Sequence, residues 1–67
     1  MERTPVESSD LKSVGYDRAV SELTGTMEIE FKMGGVYRYP GVPIEVHAGL
    51  MGARSKGRYF RQNILGT

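Results

Sequence analysis

Three cations alternate through the run Arg54-Ser55-Lys56-Gly57-Arg58, and Arg61 follows three residues later. Ser55 is a favoured helix N-cap, and "KGRYFRQNIL" behind it places Phe60 and Ile64 four apart with Tyr59 beside them. The run therefore predicts a helix over 56–65, ended by Gly66. A helix start exposes unpaired N–H groups and the positive end of the macrodipole. Stability alone favours Asp or Glu there, as in a capping box. Cations at that place break the local rule, and such breaks concentrate at functional sites. Free N–H groups, a serine hydroxyl, a glycine admitting close approach and three cations describe a cradle for phosphate or carboxylate. Arg61 extends it by one turn, and Arg38 is a further candidate contact. The competing reading is structural: Gly57 lets the helix pack closely, and the cations are a solvated surface.

Other chemistry finds little support. Ser8 and Ser9 have no histidine at a recognisable spacing, and His47 is the single histidine of a chain without cysteine. That composition gives no nucleophilic dyad, disulfide or ordinary zinc site. His47 is placed on the flank of a helix. Glu28 and Glu30 share one side of a strand and read as a solvated face rather than an acid–base pair. No catalytic residue, metal or cofactor is assigned, and no small-molecule substrate is expected. Tyr37 and Tyr39, in "GGVYRYPGV", faintly match the stacking aromatics of RNA-recognition sheets. They are equally suited to a core.

The strands decide between those readings. In "TMEIEFKM", Met27, Ile29, Phe31 and Met33 alternate with Glu28, Glu30 and Lys32, the period of a half-buried strand over about 26–33. A two-residue Gly34-Gly35 turn would set Arg38 beside Phe31 in the core, an unpaired buried charge. A three-residue loop, Met33 to Gly35 with Gly35 as the left-handed residue of a bulge, instead sets Phe31 opposite Tyr37 and Ile29 opposite Tyr39. Glu30 then meets Arg38 on the wet side. This register puts both tyrosines in the core. "LKSVGYD" makes a strand over 11–17, in which Gly15 marks a bulge or a close backbone approach. A third strand covers about 36–40. Pro43 suits the first position of a helix over 43–52, where Val46, Leu50 and Ala53 recur at spacings of four and three. Gly49 and Gly52 each weaken that helix by about 1 kcal/mol, so it needs tertiary packing.

The expected fold is α+β: a three-stranded antiparallel meander packed by two C-terminal helices. Residues 1–5 form a flexible lead-in and 6–65 the domain. Its core contains Val14, Tyr16, Ile29, Phe31, Tyr37, Tyr39, Val46, Leu50, Phe60 and Ile64. A chain of 67 residues has a thin stability margin. The first ten residues lack an apolar h-region, and no apolar run approaches the roughly 20 residues of a membrane helix, so the chain is read as soluble and cytoplasmic. Net charge is only +1, but it is unevenly spread. Residues 1–33 hold four Lys/Arg against seven Asp/Glu, a balance of −3, and residues 34–67 hold five against one, a balance of +4. Such polarity permits an anionic partner or head-to-tail self-association.

In order along the chain, "SS", "VGYD", "MEIEF", "VYRY", "VP" and "ARSKGRYF" resemble the KTSC domain. That family takes its name from a domain at the C-terminus of some lysyl-tRNA synthetases and also occurs as small stand-alone bacterial proteins. The resemblance covers about residues 6–65, and its most specific pieces are Tyr37-x-Tyr39 and Ala53-x-Ser55-x-Gly57-x-Tyr59-Phe60. Met33 departs from it, standing where a turn residue such as Asn is expected. The resemblance implies RNA binding only through the synthetase attachment, and it carries over no catalytic residue. Two functions therefore stay open. One is a non-catalytic RNA-binding module using Arg54, Ser55, Lys56, Gly57, Arg58, Arg61 and Arg38 on phosphates. The other is a protein-interaction or self-association module using an exposed strand edge.

Overall fold

A computed structural model describes residues 1–65; the expected helix end at Gly66 lies outside the described residues. Four strands, β1 (Arg3–Pro5), β2 (Leu11–Asp17), β3 (Thr24–Phe31) and β4 (Val36–Pro43), pair antiparallel in the order β1-β2-β3-β4. Helices α1 (Ile44–Gly52) and α2 (Lys56–Phe60) follow, and a single π-helical turn, Arg61–Leu65, extends α2. The fold is thus α+β with a four-stranded meander, not the three strands expected. The added strand comes from the lead-in. Three residues ending in a proline carry no periodic signal, yet Arg3 pairs with Gly15 and Pro5 with Ser13. Among the described residues no helix is long and apolar enough to cross a membrane.

One face of the sheet carries the helices. Leu11, Val14, Met27, Ile29 and Val42 pack there with Leu50, Phe60 and Ile64. Two irregularities bring strand residues three apart onto that face. A register shift between Leu11 and Ser13 turns both Leu11 and Val14 inward. At Pro40-Gly41, where Gly41 has φ +72°, the chain kinks so that Val42 follows Tyr39 into the helix side. Simple alternation misplaces Leu11, and the third strand, expected to end near residue 40, runs on to Pro43, which is why Leu11 and Val42 were absent from the expected core.

The β3–β4 turn is a three-residue loop with a glycine at positive φ, but one residue earlier than expected. Phe31 N–H donates to Gly35 O (3.1 Å), and Gly34 N–H donates to Phe31 O (3.0 Å), so the loop is Lys32–Gly34. Gly34, at φ +109°, takes the last loop position assigned to Gly35, which follows the loop and also has positive φ (+89°). Moving a loop by one residue shifts pairing by two, which preserves the faces and changes the partners. Ile29 therefore faces Tyr37, Met27 faces Tyr39 and Glu28 faces Arg38. Met33, expected on the core face, stands at the turn and is 100% exposed.

Helix α1 begins one residue later than expected. Pro43 is its extended N-cap (φ −61°, ψ 149°), and Ile44 N–H is taken by Leu23 O (3.1 Å). Gly49 is where α2 meets α1: a methyl there would overlap the Tyr59 hydroxyl and lie 2.5 Å from Cζ. Gly49→Ala should therefore destabilise the domain even though alanine is the better helix former. Overpacking costs about 1–3 kcal/mol against a propensity gain of about 1. Urea denaturation of the pair of proteins measures the sign, and a more stable variant would mean Tyr59 is loosely held.

Candidate functional site

Arg3, Gly15, Glu28 and Arg38 stand in register across the four strands on the sheet face away from the helices. Gly15 has no side chain to block the row. A Cβ there would lie 2.8 Å from Glu2 O and 3.0 Å from Arg3 Cγ, so the close-approach reading of this glycine holds. Arg3 thereby reaches over it to Glu28, whose other carboxylate oxygen accepts from Arg38 Nε at 2.8 Å. Arg3 Nε also donates to Ser13 Oγ, which donates to Glu30 at 3.0 Å. Glu28, expected to be solvated, is only 5% exposed because two guanidinium groups cover it. Its register partner is Arg38; the expected Glu30–Arg38 pairing does not form.

Hydrogen bonds from Arg38 and then Arg3 hold the Glu28 carboxyl below the 4.5 of a free glutamate. The folded state thus favours the charged form. Glu28 stabilises fully above the unfolded pKa, and that contribution is lost as pH falls through the lowered folded value. Glu28→Gln should melt earlier than the parent at neutral pH, and the gap should narrow as pH falls below the 4.5 of a free glutamate. A gap constant from pH 7 to 3 would show that the arginines do not act through the charge.

On the helix side, Tyr16 stacks on His47 (centroids 4.3 Å apart, 8° between planes) and donates its hydroxyl to Val42 O at 2.7 Å. Burial lowers the His47 pKa below 6.5. This histidine is a packing group in α1.

The residues expected to bind an anion are only partly brought together. Ser55 caps α2, its Oγ accepting from Arg58 N–H at 3.4 Å. Arg54 and Arg58 are exposed, and their guanidinium groups have no hydrogen-bond or ion-pair partner among the described residues. Lys56 is half-buried and donates to Ala53 O at 2.9 Å. Arg38 lies across the sheet, tied to Glu28. Arg61 meets Asp10, Nη1 to Oδ2 at 3.2 Å. The same Asp10 oxygen occupies the space a side chain at Gly57 would need. The acidic group missing from the α2 sequence is therefore supplied by the residue just before β2, favourably placed near a helix start. Sequence reading did not single out Asp10, because 51 positions separate it from Arg61.

Beside this pair lies a groove of about 450 Å³. Tyr37, Phe31, Phe60 and Tyr39 form a chain of edge-to-face contacts along it, with centroids 5.7, 5.4 and 5.2 Å apart. Tyr39 is half-buried, and burial pushes its phenol pKa up. Tyr37 is 54% exposed, so it belongs to the groove mouth and not to the core as expected. Its ring passes close to Gly35, where a Cβ would lie 2.9 Å from Cε2. Among the described residues no group of three or more His, Cys, Asp or Glu is gathered to hold a metal ion.

A four-stranded meander backed by two short helices, with a groove and cations at the start of the second, defines a small α+β domain. Residues 7–67 match the KTSC domain model, and the chain belongs to that family. The crystal structure of a KTSC domain protein from Yersinia pestis superposes with a TM-score of 0.85 at 42% identity, covering 98% of this chain and 87% of that one. An uncharacterised protein of Stutzerimonas stutzeri is 45% identical over 62 residues, 92% of this chain and 82% of its own length. A lysine–tRNA ligase of Trichormus variabilis is 40% identical over 60 residues, 90% of this chain but 10% of the ligase.

Proposed function

We propose that this KTSC domain is a non-catalytic module that binds single-stranded RNA by its phosphates at the start of α2. The observation that carries the reading is the freedom of Arg54 and Arg58. Arg3, Arg38 and Arg61 each meet a carboxylate, and Arg18 donates to backbone carbonyls. Arg54 and Arg58 are left to meet an anion from outside. Segments similar to this chain in enzymes named as lysine–tRNA ligases make RNA a fitting anion. With Arg58 and Arg54 engaged and Arg61 shared with Asp10, about three phosphates are met. The affinity for a mixed single strand, followed by fluorescence anisotropy from low to moderate salt, should then fall with a log–log slope of about −2. A slope near zero, or no binding at low salt, would remove the proposal.

A second reading, a protein-interaction or self-association module, is favoured by Val20 and Leu23, both largely exposed in the connection between β2 and β3. Sedimentation separates it from the first: a dimer at low and high salt, with no RNA affinity, supports it.

A further inference from the structure

We infer that the aromatic groove beside Arg61 receives one unpaired guanine base of the bound strand, an inference that rests on the RNA-binding reading above. Three features converge on a nucleotide. The groove is walled by aromatic rings, and Tyr37 at its mouth is open to solvent. Base–aromatic stacking is the usual way a protein holds an unpaired base. Arg61 lines the groove and also continues the cationic segment, three residues after Arg58 and therefore on the same side of the helical segment. A strand whose phosphates meet Arg54 and Arg58 passes the groove at the next nucleotide.

The third feature is Asp10, which lines the groove with its side chain about half exposed. A carboxylate repels a phosphate, so a purely phosphate-binding surface gives it no role beyond holding Arg61. It is an acceptor-only group. Oδ2 faces Arg61, while Oδ1 has no hydrogen-bond partner among the described residues. Two carboxylate oxygens match two adjacent N–H donors, and guanine, with N1–H and N2–H₂ on its Watson–Crick edge, is the base that offers them. Arg61 fixes the carboxylate and partly balances its charge. The volume of about 450 Å³ falls within the usual range for small-ligand clefts.

The test uses the full chain and three labelled pentanucleotides, 5′-UUGUU, 5′-UUAUU and the same strand with an abasic centre, followed by anisotropy at fixed low salt. The guanine strand should bind roughly tenfold more tightly than the adenine strand, in line with a bidentate contact. Asp10→Asn should reduce that ratio to near one, and Tyr37→Ala should bring the guanine strand to the abasic affinity. Both side chains are exposed enough for the fold to survive, which circular dichroism checks. Equal, salt-sensitive binding of all three strands would overturn the groove assignment and leave phosphate binding standing. Absence of binding to any strand would overturn both. Self-association abolished by Tyr37→Ala, with base identity immaterial, would assign the groove to protein instead.

Discussion

Leu50→Ala should leave this domain at the edge of unfolding at room temperature. Leu50 is fully buried and is the one residue of α1 in the buried core. It anchors a helix that its own sequence supports weakly, since Gly49 and Gly52 interrupt it. Removing a side chain from such a site costs about 2–5 kcal/mol, the transfer free energy plus the cavity left behind. A chain of this length has a total stability of roughly 3–10 kcal/mol. There is no cysteine to supply a disulfide. The expected fall in Tm is therefore about 10–25 °C. Leu65→Ala is the control, because Leu65 is exposed and its loss should cost less than about 1 kcal/mol. Equal melting curves for the two variants would mean that α1 contributes little to the fold.

What the sequence revealed and what it hid have separate physical causes. β3 and the start of α2 were legible because their signals are local: period-two alternation in one, an N-cap serine in the other. The face of the Tyr37–Tyr39 strand was also legible, since a buried, unpaired Arg38 excludes the wrong parity. The register itself was not. Gly34 and Gly35 both take positive φ, so the glycines do not say which of them ends the loop, and that choice moves every pair by two while leaving the faces unchanged. Tyr37 was misplaced because facing the helix side does not ensure cover. Phe60 packs on Phe31 and Tyr39, while Tyr37 lies toward the turn end of the hairpin, touching Phe31 by its edge. Glu28 was misread for want of β1: without Arg3 across Gly15, its face reads as open to water. The candidate site shows the same pattern. Its cations were visible as a local run, whereas Asp10, which fills the space over Gly57 and holds Arg61, is brought there by the fold.

Reversing both free arginines, Arg54→Glu with Arg58→Glu, should separate binding from folding. Neither guanidinium has an intramolecular partner among the described residues, so the change breaks no ion pair seen in the fold. Arg58 lies in the first turn of α2, behind the Ser55 cap, where a negative side chain is favoured by a few tenths of a kcal/mol. The double variant should melt at or slightly above the parent temperature. Its RNA affinity should nevertheless fall by about a hundredfold at low salt, because two phosphate contacts are lost and two repulsions replace them. The salt slope should shrink with it. A structural role for these arginines predicts the opposite pairing, a lower melting temperature with RNA affinity unchanged. Reversal at Arg38 gives the contrast. That residue is bound to Glu28 on the far face of the sheet, so Arg38→Glu should lower stability and leave RNA affinity alone. Cations that weaken binding without weakening the fold are those the domain holds free for a ligand.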